Sequence, residues 1–301
     1  MKAGFVALAG RPNAGKSTLL NRLVGVKLAI VSDKPQTTRN RILGVRNYPD
    51  AQAVFLDTPG IHRPMHRMNV RMMDTAIQAM RDVDVLGLVV DVSEREGHGH
   101  RFVMDLVTRA PGTVFLILNK IDLIKKTALL PIIDAYRGKE RFAEIVPVSA
   151  ATGENVDRLE HVILEHLPEG EPFYPPDFLT DQPERFLAAE IVREKVLQFT
   201  RAELPFASAV VVDRFEEPSA EGGVLRLFCS IVVDRESQKA IVVGRGGAMI
   251  KRIGTAAREE LERFFRTRLY LDLRVKVKAE WRENDHILGE LGMHHEESPK
   301  R

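Results

Sequence analysis

A single cysteine, a single tryptophan and only four tyrosines stand in a chain of 301 residues. With Cys229 alone, no intrachain disulfide can form, which suits a reducing compartment. Cys229 lies inside the apolar run 224–233 and reads as a small buried hydrophobe, not as a nucleophile. No apolar stretch approaches the ~20 residues of a membrane span. Residues 5–17 already read as a strand and a glycine loop, so no secretory leader is expected there. Charge of one sign is also scarce: 44 Lys and Arg stand against 42 Asp and Glu, a net +2. The chain has no internal repeat and no low-complexity tract. What remains, 44% hydrophobic and 29% charged residues, is ordinary for a globular protein, and the length suggests two domains.

The near-zero net charge hides an uneven distribution. Residues 239–278 hold 11 Lys and Arg against 4 Asp and Glu, a local +7, whereas residues 1–181 hold 23 against 22. A basic stretch in an otherwise balanced chain is the footprint of a phosphate-backbone binder; a solvated face is the alternative that charge alone leaves open.

The most specific pattern is Gly10-Arg11-Pro12-Asn13-Ala14-Gly15-Lys16-Ser17, directly after the apolar run 5–9 and before a helical stretch. This is G-x-x-x-x-G-K-S in the strand–loop–helix setting that a phosphate loop requires. Its glycines let backbone N–H groups wrap phosphates, and the helix N-terminus adds a favourable dipole. Lys16 would reach the β and γ phosphates, and Ser17 would ligate Mg²⁺. Further apolar runs at 54–56, 85–90, 113–118 and 145–148, with helix-length segments between most of them, predict a mostly parallel sheet with helices on both faces.

The loops after those runs choose the nucleotide. Asp57-Thr58-Pro59-Gly60 puts a carboxylate where a second metal-side group belongs, acting through a water, and the Gly60 amide where it senses the γ phosphate. Asn119-Lys120-Ile121-Asp122 offers a carboxylate to the N1 and exocyclic amino groups of guanine, which adenine cannot match. Ser149-Ala150-Ala151 supplies N–H groups near the guanine O6. These motifs resemble those of the translation-factor-like GTPases. That resemblance implies a threonine ligand for Mg²⁺ in the loop Gln36-Thr37-Thr38-Arg39-Asn40; Thr38 is the choice and Thr37 its neighbour in contention. Where Ras-like enzymes carry a water-orienting glutamine, this chain has Ile61, so slow intrinsic hydrolysis is expected. Asn13 resembles the asparagine of GTPases that employ a bound K⁺.

The prolines at 168, 172, 175 and 176 break any helix and read as a stiff linker. Beyond it, an amphipathic helix and two strands lead to Val243-Gly244-Arg245-Gly246-Gly247 and a basic amphipathic helix, and the pattern closes on a period-two strand at 271–278 with one basic face. A G-x-x-G loop clamping about four nucleotides is the device of the KH module. Ile241, Val243, Ile250 and Ile253 would floor the bases; Lys239, Arg245, Lys251 and Arg252, with the loop glycines, would take the phosphates.

One GTPase domain followed by a KH module resembles the Era family of bacterial GTPases over nearly the whole chain. The expected architecture is an α/β P-loop GTPase domain over 1–170, a linker over 171–182, an α+β type II KH domain over 183–281 and a tail over 282–301. The resemblance implies GTP/GDP and Mg²⁺ as cofactors, binding near the 3′ end of 16S rRNA, a role in rRNA processing and 30S subunit assembly, and a cytoplasmic monomer with some peripheral inner-membrane association. An assembly factor in which the nucleotide is only a latch is the second reading, and a membrane-associated cell-cycle regulator a third. Asn119 and Asp122 oppose an ATPase or kinase; a single phosphate loop excludes the double-G-domain relatives. His98, His100 and the His294-His295-Glu296-Glu297 cluster read as surface, the latter in an exposed end.

Overall fold

The computed structural model describes residues 1–34, 36–62, 66–94, 98–137, 142–200, 204–218, 220 and 222–293. They cluster into two units. The first is Met1–Val31, Thr38–Pro64 and Met72–Asp181; the second is Ser32–Thr37, Met65–Arg71 and Gln182–Arg301.

The first unit runs β1 (Lys2–Gly10), α1 (Lys16–Val24), β2 (Ile42–Tyr48), β3 (Ala51–Asp57), α2 (Arg67–Ala79, joining this unit from Met72), β4 (Val85–Asp91), α3 (His98–Thr108), β5 (Thr113–Asn119), α4 (Lys126–Arg137), β6 (Phe142–Pro147) and α5 (Val156–His166). Among the described residues its strands form one sheet in the order β2-β3-β1-β4-β5-β6. All neighbours are parallel except β2, which runs antiparallel to β3. Successive strand side chains point to opposite faces, so β1 feeds two cores. Val6 and Leu8 pack with Leu19 and Leu23 of α1 and Leu159 and Ile163 of α5. Ala7 and Ala9 share a second cluster with Met73 and Ala76 of α2, Val107 of α3 and Tyr136 of α4. The expected α/β sandwich is present. The expectation omitted β2, whose sequence alternates with Gly44, Arg46 and Asn47 instead of forming a continuous apolar run.

Three expectations need correction. The proline-rich stretch up to Asp181 belongs to the first unit and is tied down along it. Gln52 Nε2 donates to the Tyr174 carbonyl (2.8 Å), the Tyr174 N–H donates to Gln52 Oε1 (3.0 Å), and the Val45 N–H donates to the Leu179 carbonyl (2.8 Å). Prolines remove ladder donors, so a buried glutamine supplies the amide pairing instead. His100 is not on the surface: it is buried in α3 with Nε2 3.0 Å from the Tyr136 hydroxyl. The stretch after Trp281 is not a bare tail either, as described next.

The second unit runs α6 (Glu184–Phe199), α7 (Leu204–Ala207), β7 (Ser208–Glu216), β8 (Val224–Val233), α8 (Glu236–Val243), α9 (Ala248–Phe265), β9 (Arg268–Val277) and α10 (Asp285–Glu290). Apart from the one-turn α7 and the terminal α10, this is the helix-strand-strand-helix-helix-strand order of a type II KH domain. Its sheet runs β7-β8-β9, antiparallel then parallel. Alternate residues Leu225, Leu227, Cys229, Ile231 and Val233 of β8 join Ile191 and Val196 of α6, Val242 of α8 and Ile253, Ala257 and Leu261 of α9 in one core. After β9, Trp281 is fully buried and its indole N–H donates to the Ala207 carbonyl (3.0 Å). Asn284 caps α10 by accepting from the N–H groups of His286 and Ile287, and Ile287, Leu288 and Met293 are buried. His294, His295, Glu296 and Glu297 lie outside the described residues.

Cys229 is 1% exposed and burial pushes its thiol up to about 12. Because the thiolate is the reactive form, a thiol reagent should label Cys229 only at denaturant concentrations where the fluorescence of Trp281, in the same unit, also shifts. Fast labelling of the native protein would contradict this packing.

Candidate functional site

Parallel strands bring their carboxyl ends to one edge of a sheet, and the loops after β1, β3, β5 and β6 all leave from there. The phosphate loop turns through Asn13 (φ 62°) into Gly15 (φ 91°), which opens α1. At Gly15 a side chain would both need a left-handed backbone and strike the Asn119 amide, so glycine is required there. The Lys16 ammonium donates to the carbonyls of Gly10 (3.3 Å) and Arg11 (3.0 Å), curled back over the loop.

Beside it three oxygens converge. Ser17 Oγ lies 2.6 Å from Thr38 Oγ1 and donates to Asp57 Oδ2 at 2.6 Å, while Thr38 Oγ1 donates to the same Oδ2 at 3.1 Å. Thr37 is elsewhere, its hydroxyl donating to the Lys34 carbonyl (2.6 Å). Of the two threonines in contention, Thr38 is the one brought to Ser17 and Asp57. Arg39 is buried, and Gln36 and Asn40 are half-buried, in the same loop. Asp57 is fully buried, and its Oδ1 has no hydrogen-bond partner among the described residues. Burial raises its pKa against the opposing pull of Lys16, Ser17 and Thr38; burial likewise brings Lys16 down to about 8 despite Asp57. Hard oxygen donors around an unsatisfied carboxylate fit Mg²⁺. Ser17 and Thr38 would hold the ion, with Asp57 acting through a water. When bound, the ion neutralises phosphate charge.

Thr58 donates to the Leu8 carbonyl (2.8 Å), and the Ile61 N–H donates to the Gly10 carbonyl (3.0 Å), fastening the Asp57-Thr58-Pro59-Gly60 loop to the end of β1. A Cβ on Gly60 would sit 2.7 Å from Pro12 Cα. Ile61 is buried in the core shared with α2, α3 and α4, so its side chain offers nothing to a water.

On the base side, Asn119 ends β5. Its amide donates to the Ala14 carbonyl (2.8 Å) and its Oδ1 accepts from the Ala150 N–H (3.0 Å), joining the phosphate loop to Ser149-Ala150-Ala151. Lys120, in a left-handed backbone (φ 67°), pairs with Asp91 at 2.5 Å. Burial raises the Asp91 pKa, but hydrogen bonds from Lys120 and Ser93 outweigh it and the net shift is downward. Ile121 is buried, while the Asp122 carboxylate is exposed. Arg22 donates to the carbonyls of Ala150 (3.3 Å) and Ala151 (2.6 Å). Neither Arg22 nor Asp91 carries a spacing signal that could have flagged it in the sequence.

In the second unit, Gly246 (φ 59°) and Gly247 (φ 79°) take left-handed conformations with nothing within 4 Å of where a Cβ would stand. This bare backbone opens α9. Arg245, Lys251 and Arg252 are exposed around it; Arg252 lies 4.2 Å over the Phe199 ring, and Lys239 lies 3.7 Å from Glu236. Ile241 is half-exposed, with Val243 and Ile250 partly buried, so these three are available beside the glycines Gly244, Gly246 and Gly247. Ile253 is not: it is 0% exposed in the core, because its place on α9 faces the sheet. The apolar floor therefore loses one of its four expected members.

Two family models match this chain, one described as 50S ribosome-binding GTPase over residues 5–120 and one as KH domain over residues 203–282. The GTPase Era of Geobacter metallireducens is 49% identical over 291 residues, covering 97% of each chain. The chain belongs to the Era family of GTPases. The Era of Staphylococcus haemolyticus is 45% identical, again over 97% of each chain. Two solved Era structures share the fold over 97% of this chain and 99% of theirs. One, a variant from Aquifex aeolicus bound to GDP·AlF4⁻, has a TM-score of 0.92 at 41% identity. The other, an Era in complex with MgGDPNP and nucleotides 1506–1542 of 16S ribosomal RNA, has a TM-score of 0.93 at 42% identity. As an Era GTPase, this chain has one nucleotide site, at the sheet edge, and one KH loop.

Lys16 supplies a test of the site's electrostatics. Its native pKa is lowered, so the native state holds fewer protons than the unfolded chain between pH about 8 and 10.5, and its contribution to stability rises with pH through that window. Phosphates placed beside it favour the charged form. Calorimetric titration of GDP into the nucleotide-free protein, without Mg²⁺ and in buffers of different ionisation heat, should therefore show proton uptake. About half a proton is expected at pH 8, where the free lysine is half-titrated. Uptake no greater at pH 8 than at pH 7 would contradict the lowered pKa.

Proposed function

We propose that this Era GTPase binds the 3′ end of 16S rRNA through its KH loop, promotes rRNA processing and 30S subunit assembly, and releases or engages the RNA according to its nucleotide. The observation that carries the reading is the bare Gly246-Gly247 backbone ringed by Arg245, Lys251 and Arg252, in a chain 42% identical to an Era that holds nucleotides 1506–1542 of that RNA. Phosphates approach the glycine backbone closely, and bases lie against Ile241, Val243 and Ile250. The protein acts as a monomer in the cytoplasm, with peripheral contact to the inner membrane at most; no helix among the described residues is long and apolar enough to cross a membrane.

Support for coupling comes from the loop that carries Thr38. Arg193 of α6 donates to the carbonyls of Gln36 (3.5 Å) and Thr37 and is braced by Glu190 (2.7 Å). Gln36 and Thr37 thus belong to the second unit, whereas Thr38, the next residue, belongs to the first. A nucleotide that draws Thr38 onto its metal pulls on the segment that Arg193 holds. GTP thereby orders the loop around Thr38 and Gly60, turns the halves relative to one another and opens the KH groove. RNA affinity for the 16S 3′-end fragment should be at least tenfold tighter with a non-hydrolysable GTP analogue than with GDP. Equal affinities would remove the coupling and leave an RNA module beside an uncoupled GTPase.

Hydrolysis itself lacks a water-orienting side chain at Ile61, which the core has absorbed. This favours the second reading, a nucleotide latch with slow turnover, unless charge is supplied from outside. The K⁺ resemblance at Asn13 offers that source: K⁺ beside the phosphate loop stabilises the charge that develops in the transition state. GTP turnover should then be at least tenfold faster in KCl than in NaCl. Equal rates in the two salts dismiss Asn13 from this role.

A further inference from the structure

The basic face of the last strand has no part in the reading above. Residues 269, 271, 273, 275 and 277 of β9 point into the core with α9, so Arg268, Tyr270, Asp272, Arg274 and Lys276 point to the other side of the sheet, away from the helix that carries the G-x-x-G loop. The pairing register sets them in rungs. Tyr270 stands opposite Arg226, which stands opposite Glu216; Asp272 stands opposite Phe228, which stands opposite Arg214.

At the middle of this face the side chains build a platform. The Phe228 and Tyr270 rings lie 5.9 Å apart, and the Arg214 guanidinium lies 4.2 Å over Phe228. Tyr270 is 51% exposed, and the side chains of Arg214 and Arg274 are 61% and 72% exposed. Among the described strand residues, five cations on this side (Arg214, Arg226, Arg268, Arg274 and Lys276) face three carboxylates (Asp213, Glu216 and Asp272). The carboxylates hold Arg214, Arg274 and Lys276 in place at 3.0–3.4 Å. An exposed tyrosine alone is an ordinary feature of a sheet. Two adjacent-strand aromatics, a guanidinium stacked on one of them and a surplus of positive charge are the components that bind single-stranded nucleic acid, with bases on the π faces and phosphates on the cations.

We propose that the outer face of the β7-β8-β9 sheet is a second single-stranded RNA site, a sequence-tolerant stacking platform that takes the strand beyond the nucleotides held by the G-x-x-G loop. It rests on the RNA-binding reading above, and the experiment separates the two. The full chain with a non-hydrolysable GTP analogue is titrated by fluorescence anisotropy with the 16S fragment 1506–1542, with and without an oligouridine tail of about 20 nucleotides. The tail should tighten binding about tenfold, the effect of one or two stacked bases. The double variant Tyr270→Ala/Arg226→Ala should lose that gain, keep the affinity for the untailed fragment and keep the Trp281 emission of the folded unit. Ultraviolet cross-linking of the tailed RNA should place adducts on β8 or β9. A tail without effect, or a gain that survives in the double variant, overturns the proposal and leaves the face to a protein partner. If the untailed fragment itself does not bind, the reading of the KH loop falls instead, and binding of oligouridine alone still decides the platform.

Discussion

The oxygens of Ser17, Thr38 and Asp57 are the point on which the first unit turns. A fully buried carboxylate is costly unless charge or hydrogen bonds answer it, and here one oxygen receives two hydroxyl donors while the other receives none among the described residues. Lys16, buried alongside and bonded to loop carbonyls, answers part of that cost with its charge, while burial lowers its own pKa to about 8. A triphosphate and a divalent cation would relieve both penalties together: the phosphates would favour the charged lysine, and the metal would answer the carboxylate. The electrostatics of Asp57 and Lys16 thus favour the ligand that the sequence pattern announces.

Everything around that point works by positioning. Asn119 spends both ends of its amide on tying two loops together, Thr58 and the Ile61 amide pin the Asp57 loop to β1, and Arg22 holds the carbonyls of Ala150 and Ala151. Asp122, whose carboxylate is expected to read the base edge, is exposed on the loop that Lys120 and Asp91 clamp. These ties contrast with the Thr38 loop, whose neighbouring residues Gln36 and Thr37 group with the second unit.

This division explains what the sequence could and could not disclose. Motifs whose chemistry needs adjacent residues at fixed spacing, such as the phosphate loop and the G-x-x-G turn, are legible because spacing and function are the same fact. The parallel sheet is legible because buried strands are continuous apolar runs, whereas β2, at the sheet edge with its interrupted run, is not. The expectation for Ile253 fails because Ile250 and Ile253 share one side of α9: Ile250, in the first turn, stays partly exposed, whereas Ile253, a turn further in, packs in the core. His100 was misread because burial of a histidine depends on a distant partner, Tyr136, that no local pattern names. Arg193 escaped for the same reason, since its acceptors lie more than 150 residues away.

The same alternation that hides Ile253 in the core exposes the other side of the KH sheet. A three-stranded sheet with helices on one face must either expose its second face or cover it with something else, and an exposed face is ordinarily made inert with mixed, self-paired charge. Here the pairing is incomplete. The carboxylates on the β7-β8-β9 surface orient Arg214, Arg274 and Lys276, and Arg226 and Arg268 have no ion pair among the described residues. An arrangement that fixes cations beside aromatic rings gives up side-chain entropy for which the isolated surface receives little return. An anionic, planar ligand laid across it, such as a single-stranded nucleic acid, would add phosphate and stacking contacts to that arrangement.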